Sequence, residues 1–206
     1  LINPGDEVLI PAPYYFNHVM AAEMLHGKVS LINLTEKTGF IPFFDQIKKT
    51  ITEKTKVITL VSPNNPCGVV YPLEELKRII EFCQKKGIFV IVDETYQFFH
   101  FEKPQSVASL LHQFKNLFII SSFSKSYCFA GWRLGYLIFP SEFKRNIYKI
   151  QDTIIISPPT VSQFALIKVF SSYISEIEKN KNTLIKRKNI LVQELRQYSE
   201  KRIEPQ

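Results

Sequence analysis

The run Val57-Ile58-Thr59-Leu60-Val61 leaves this chain few folds to choose from. It is rich in β-branched residues, is too short for a helix and has no polar alternation, so it predicts a strand over 56–62 covered on both faces. Similar runs predict strands over 88–92 and 117–121, with further strands at 7–11, 28–34 and 135–139. Between 56–62 and 88–92 lies a helix pattern. Pro72 stands at its start with Glu74 and Glu75 in the first turn, Leu73, Leu76, Ile79, Ile80 and Cys83 form one stripe, and Lys85, Lys86 and Gly87 mark its end. A segment carrying Val19, Ala22, Met24 and Leu25 predicts a helix closing at Gly27, and residues 41–51 predict a short amphipathic helix. Beyond Ser141 the pattern is helical over 142–152, 159–171 and about 173–201. Strands alternating with helices imply an α/β chain, a three-layer α/β/α sandwich with a mostly parallel sheet.

Composition narrows the function classes. The formal net charge of +7 is scattered, and many lysines fall in the last helix, so a solvated helix face accounts for them and no nucleic-acid partner is expected. Cys67, Cys83 and Cys128 are odd in number and widely spaced, as reduced thiols would be. The four histidines, His18, His26, His100 and His112, show no ligand spacing, so no metal is expected. No apolar run approaches the roughly 18 residues that cross a membrane. These features point to a cytoplasmic protein. The chain starts at Leu1 and enters a strand almost at once, as a cut through a longer protein would.

In parallel sheets ligands gather at the carboxyl ends of strands. Three such ends carry Asn64-Asn65-Pro66, Asp93-Glu94-Thr95-Tyr96 and Ser122-Phe123-Ser124-Lys125, with Arg133 eight residues on between Gly131 and Gly135. A buried primary amine at Lys125, beside two hydroxyls and a guanidinium, suits an aldehyde that carries a phosphate: the amine condenses with the aldehyde, while Ser and Arg hold the phosphate. That points to pyridoxal phosphate. A carboxylate at Asp93 suits its ring nitrogen, a pairing worth about 4 kcal/mol at ~4 Å and an effective dielectric near 20. Glu94 is the neighbouring competitor, but its side chain is expected on the other side of the extended chain.

The segment 122–135, together with 69–73 and the opening Asn3-Pro4-Gly5-Asp6-Glu7-Val8, resembles the Ser-x-Ser-Lys-(x)n-Gly-x-Arg-x-Gly signature and flanking motifs of the class I/II aminotransferases, pyridoxal-phosphate enzymes of fold type I. The resemblance implies an aminotransferase that moves an amino group from an amino acid to a 2-oxo acid through a Schiff base at Lys125, with pyridoxal 5′-phosphate as cofactor. It implies that Lys125 is also the general base, that Asp93 pairs with the ring nitrogen, and that Asn65 and Tyr96 donate to the phenolic oxygen. Arg133 and Ser122 are phosphate ligands on the same ground, with Ser124 a further candidate. Tyr15 is the ring-stacking aromatic, with Tyr14 the alternative, and Trp132 is expected to pack. Gly131 and Gly135 are expected to let the backbone pass close to the cofactor, and the Asn65–Pro66 bond is a candidate for the cis isomer. Cys67 stands where the family commonly has threonine.

The same resemblance divides the chain into a partial large domain over 1–172 and a helix over 173–206 leading into a small domain, and it implies a homodimer. The family's glycine-containing phosphate loop and its arginine for the substrate α-carboxylate have no counterpart among these residues. Two other readings keep the residues but change the outcome: a carbon–sulfur lyase or related lyase of the same fold, and a non-catalytic pyridoxal-phosphate-binding module or regulator domain.

Overall fold

The computed structural model describes residues 1–101, 105–170, 172–196 and 198. Among them, β1 (Glu7–Ala12), β2 (Lys28–Asn33), β3 (Thr55–Val61), β4 (Phe89–Asp93), β5 (Leu117–Ser122) and β6 (Gly135–Ile138) form one sheet. The order is β2-β1-β3-β4-β5-β6, parallel throughout except for β6, which runs antiparallel to β5. The helices are α1 (Phe16–Met24), α2 (Phe44–Thr50), α3 (Leu73–Lys85), α4 (Lys144–Ile154), α5 (Thr160–Val169) and α6 (Ile174–Leu195).

Alternation along the strands sorts side chains between two apolar layers. Ile58 and Leu60 of β3, Val90 and Val92 of β4, and Leu117 and Ile119 of β5 pack with Leu76, Ile79, Ile80 and Cys83 of α3 and with Ile47 of α2. Val8 and Ile10 of β1 and Val57 of β3 pack with Ala22 of α1 on the opposite face, where Phe89 and Ile91 of β4 join them. The strand order reverses at β1, with β2 on one side and β3 on the other. That reversal opens a crevice outside the carboxyl ends of the strands.

Several boundaries differ from the sequence reading, each for a local reason. β1 does not break at Pro11: it continues to Ala12, whose carbonyl accepts from Leu34 N at 2.9 Å on the β2 side. Pro11 therefore turns its missing N–H toward β3, where pairing has already ended at Leu9. α2 starts at Phe44 rather than 41, because Pro42 disfavours helical geometry at Ile41. Residues Ser141–Phe143 form a single 3-10 turn before α4 begins at Lys144. Met24, the last residue of α1, and Leu25 just after it are 79% and 60% exposed. α5 ends at Val169 and α6 at Leu195, and the rest of the helix expected to 201 falls largely outside the described residues.

Candidate active site

Sheet alternation also decides which carboxylate reaches the crevice. Asp93 has the parity of Phe89 and Ile91 and so faces the α1 side, while Glu94 has the parity of Val90 and Val92 and turns to the α3 side. There Glu94 is buried, accepting from Ser106 Oγ at 2.6 Å and from Val107 N at 2.8 Å. Burial, together with the Asp93 charge, outweighs those bonds and holds its pKa above the ordinary carboxyl value. Asp93 is half-buried at the crevice, with His18 Nε2 at 3.1 Å from Oδ2 and Thr95 N donating to Oδ1 at 2.9 Å. Burial alone would raise its pKa, but the bonds from His18 and Thr95 prevail and leave it lowered. Asp93 is thus a carboxylate held in its charged form.

A pocket of about 290 Å³ lies where these elements meet. It is lined by Tyr15 at the start of α1, Asn65 after β3, Asp93 and Tyr96 after β4, and Ser122, Ser124, Lys125 and Arg133 after β5. All eight residues singled out in the sequence therefore share one pocket. Asn65 Nδ2 reaches Tyr96 Oη at 3.4 Å, so those two polar groups sit together on one wall. Asn65 is carried by a turn stitched through Asn64, whose Oδ1 accepts from Cys67 N at 3.0 Å and whose Nδ2 donates to Tyr71 Oη at 3.1 Å. The Asn65–Pro66 bond is cis, as are Ala12–Pro13 and Ser62–Pro63. Tyr15, rather than Tyr14, faces the pocket: Tyr14 packs against the α1-side layer, while Asn17 Nδ2 donates to Tyr15 Oη at 3.0 Å.

Ser122 Oγ accepts from Ser124 N at 3.0 Å and donates to Leu134 O at 3.3 Å, which folds the segment after β5 back over the strand end. Arg133 has left-handed backbone geometry, φ 56°, and its guanidinium donates to Ala130 O at 2.8 Å. Two serines and a guanidinium from the segment after β5, and a charged carboxylate from the end of β4, thus line the same pocket. An anion fits the first and a protonated ring nitrogen the second, so the donor set suits pyridoxal phosphate.

One expectation needs correction. Lys125 is exposed, not buried, because the turn after β5 directs the next two side chains, Ser126 and Tyr127, inward and leaves the lysine at the pocket mouth. Gly135 is required by the sheet itself: a Cβ there would meet Ser121 O of β5 at 2.8 Å, whereas Gly131 has open space around it. Trp132 is 41% exposed, with its ring 5.5 Å from Phe129.

His18 is the residue the sequence reading missed. A lone histidine 75 positions from Asp93 carries no spacing signal for that pairing. The available clue was its place three residues after Tyr15 on α1, which puts both rings on one face, 6.0 Å apart. Among the described residues no cluster of three or more His, Cys, Asp or Glu could hold a metal, and no helix is long and apolar enough to cross a membrane.

The profile of the family "Aminotransferase class I and II" matches residues 1–206. The chain belongs to the class I and II aminotransferases. This aminotransferase chain is 35% identical over 200 residues to the "Probable aspartate/prephenate aminotransferase" of Aquifex aeolicus, covering 95% of the chain and 51% of that protein. Its fold matches the crystal structure of aspartate aminotransferase from Thermotoga maritima with a TM-score of 0.92 at 30% identity, over 100% of the chain and 54% of that structure. The aromatic aminotransferase of Pyrococcus horikoshii matches with a TM-score of 0.93 at 28% identity, over 100% of the chain and 56% of that structure. The chain spans about half the length of the relatives it matches.

Proposed function

We propose that the protein carrying this chain is a pyridoxal-5′-phosphate-dependent aminotransferase that moves an amino group from an amino acid to a 2-oxo acid. One observation carries the reading: four separate stretches of sequence place Tyr15, Asn65, Asp93, Tyr96, Ser122, Ser124, Lys125 and Arg133 around a single pocket. When bound, the cofactor supplies an aldehyde that condenses with amines and a ring that draws electrons from the substrate α-carbon. Arg133, Ser122 and Ser124 hold its phosphate. Asp93, kept anionic by His18 and Thr95, keeps the ring nitrogen protonated. Asn65 and Tyr96 would donate to the cofactor's phenolic oxygen, and Tyr15 would offer it an aromatic surface. Lys125 would be the amine that holds the cofactor by its aldehyde group, and would serve as the base for the proton at the substrate α-carbon.

The named relatives act on aspartate, prephenate or aromatic substrates, so the proposal stops at the class of amino acid and 2-oxo acid. With the relatives twice as long, we assign residues 1–172 to the large domain and α6 to the connection leading to a small domain, in a homodimer of the cytoplasm.

The test is borohydride reduction of the complete protein after addition of pyridoxal phosphate, followed by mass mapping. A single adduct at Lys125, absent from Lys125→Ala, is expected, together with stoichiometric release of a 2-oxo acid from an amino acid without added acceptor. Adducts scattered over surface lysines, or elimination products alone, would sink the reading.

A further inference from the structure

Lys125 is exposed, yet the turn that carries it is braced by aromatic rings on both sides. Phe123 and Tyr127 stand two residues to either side of it, with ring centroids 5.3 Å apart in an edge-on contact. The backbone closes beneath them, Cys128 N donating to Lys125 O at 3.1 Å and Phe129 N to Phe123 O at 3.2 Å. The two rings also reach beyond the turn. Phe170, just past α5, lies 6.1 Å from Phe123 and stacks on Tyr127 at 5.6 Å with 5° between the planes. Tyr173, at the start of α6, stacks on the Tyr127 ring at 5.6 Å and 21°. Phe98 closes the cluster edge-on to Tyr127 at 6.2 Å, two residues after Tyr96.

We propose that Phe123 and Tyr127 are positioning residues that aim the Lys125 amine into the pocket, and that Phe170 and Tyr173 make this aim depend on how α5 and α6 are seated. The inference rests on the reading of Lys125 as the cofactor-binding amine. A long, exposed lysine stem has many rotamers, and only the anchoring of its Cα limits where Nζ dwells. Here that anchoring is one buried ring, Tyr127, and one half-buried ring, Phe123, each touching a ring more than 40 positions downstream in the numbering. Tyr127 is suited to the task by its ring rather than its hydroxyl, since the contacts named are all ring contacts.

The experiment follows reductive trapping of pyridoxal phosphate at Lys125 in the complete protein over time, a readout independent of turnover. Misplacement of a reacting group by about 1 Å costs up to a hundredfold, so Tyr127→Leu and Phe123→Leu are each expected to slow trapping on the order of tenfold. Tyr127→Phe keeps the ring and should stay within about twofold of the parent. Tyr173→Leu, which leaves the turn itself intact, should slow trapping by a smaller factor and carries the test if Tyr127→Leu does not fold. Phe114→Leu, buried in the α3-side layer, controls for lost packing alone and should lower the melting temperature without slowing trapping. Parent-like trapping in the Leu variants, or equal slowing in Phe114→Leu, overturns the inference. No Lys125 adduct in the unsubstituted protein overturns the underlying reading, and the inference with it.

Discussion

α3 and α4 are helices of similar length, and they treat their apolar residues in opposite ways. α3 buries Leu76, Ile79, Ile80 and Cys83 against the strands, and burial pushes the Cys83 thiol up to about 12. α4 has no buried residue: Tyr148, Ile150 and Ile154 all stand in solvent, Ile154 at 72% exposure. The two helices teach that an amphipathic pattern records where a stripe would be satisfied, not whether the partner lies within the same stretch of chain. Residues 1–139 complete an apolar layer by themselves, while much of the apolar surface of α4, α5 and α6 is left open, at Val161, Phe164, Ile167, Ile190 and Leu191 among others.

Matched truncations break that comparison most directly. Ile79→Ala removes a fully buried side chain from α3 and should cost about 2–5 kcal/mol in denaturant unfolding. A loss no larger than that of an exposed site would mean that the α3 layer is looser than its packing indicates.

The intermediate effect sharpens the contrast within one strand end, between Asp93 and Glu94. Asp93, lowered from 3.8, contributes stability that is present above that value and lost as pH falls through its folded pKa. Glu94, raised from 4.5, does the reverse: its contribution is present below 4.5 and lost as pH rises through its folded pKa. Glu94→Gln should therefore remove the decline above pH 4.5 while leaving the acid-side loss due to Asp93. Urea midpoints from acid to neutral pH measure this, and an unchanged slope above 4.5 would contradict the burial of Glu94 as a titrating group. The smallest effect belongs to α4, where Ile154→Ala should change the unfolding free energy by no more than about 0.5 kcal/mol. A loss as large as at Ile79 would show that the α4 face is covered in solution.

Legibility in the sequence followed the same divide. The strands and α3 were readable because continuous apolar runs and a capped, single-stripe helix each have one physical solution. Most of the pocket residues were readable because they follow strand ends, and a parallel sheet brings those ends together, whereas Tyr15 came only from the family resemblance. The direction of side chains within irregular turns was not. Whether Lys125 or its neighbours Ser126 and Tyr127 would point inward depended on rings at Phe170 and Tyr173, far along the chain. The His18–Asp93 pair was hidden for a related reason: it depends on where α1 crosses the sheet, which no local spacing encodes.

The pocket's walls come from stretches around residues 15, 65, 93–96 and 122–133, threaded through four separate places in the sheet. No contiguous peptide cut from this chain contains the whole set unless it contains most of the sheet. A molecule that occupies the pocket is in contact with all four stretches at once and has no comparable partner in the unfolded chain. Its binding should consequently appear as cooperative thermal protection of the entire sheet, about 2.7 kcal/mol at a hundredfold excess over its dissociation constant. Melting temperature thereby becomes a substrate-blind assay for whatever the site was shaped to hold.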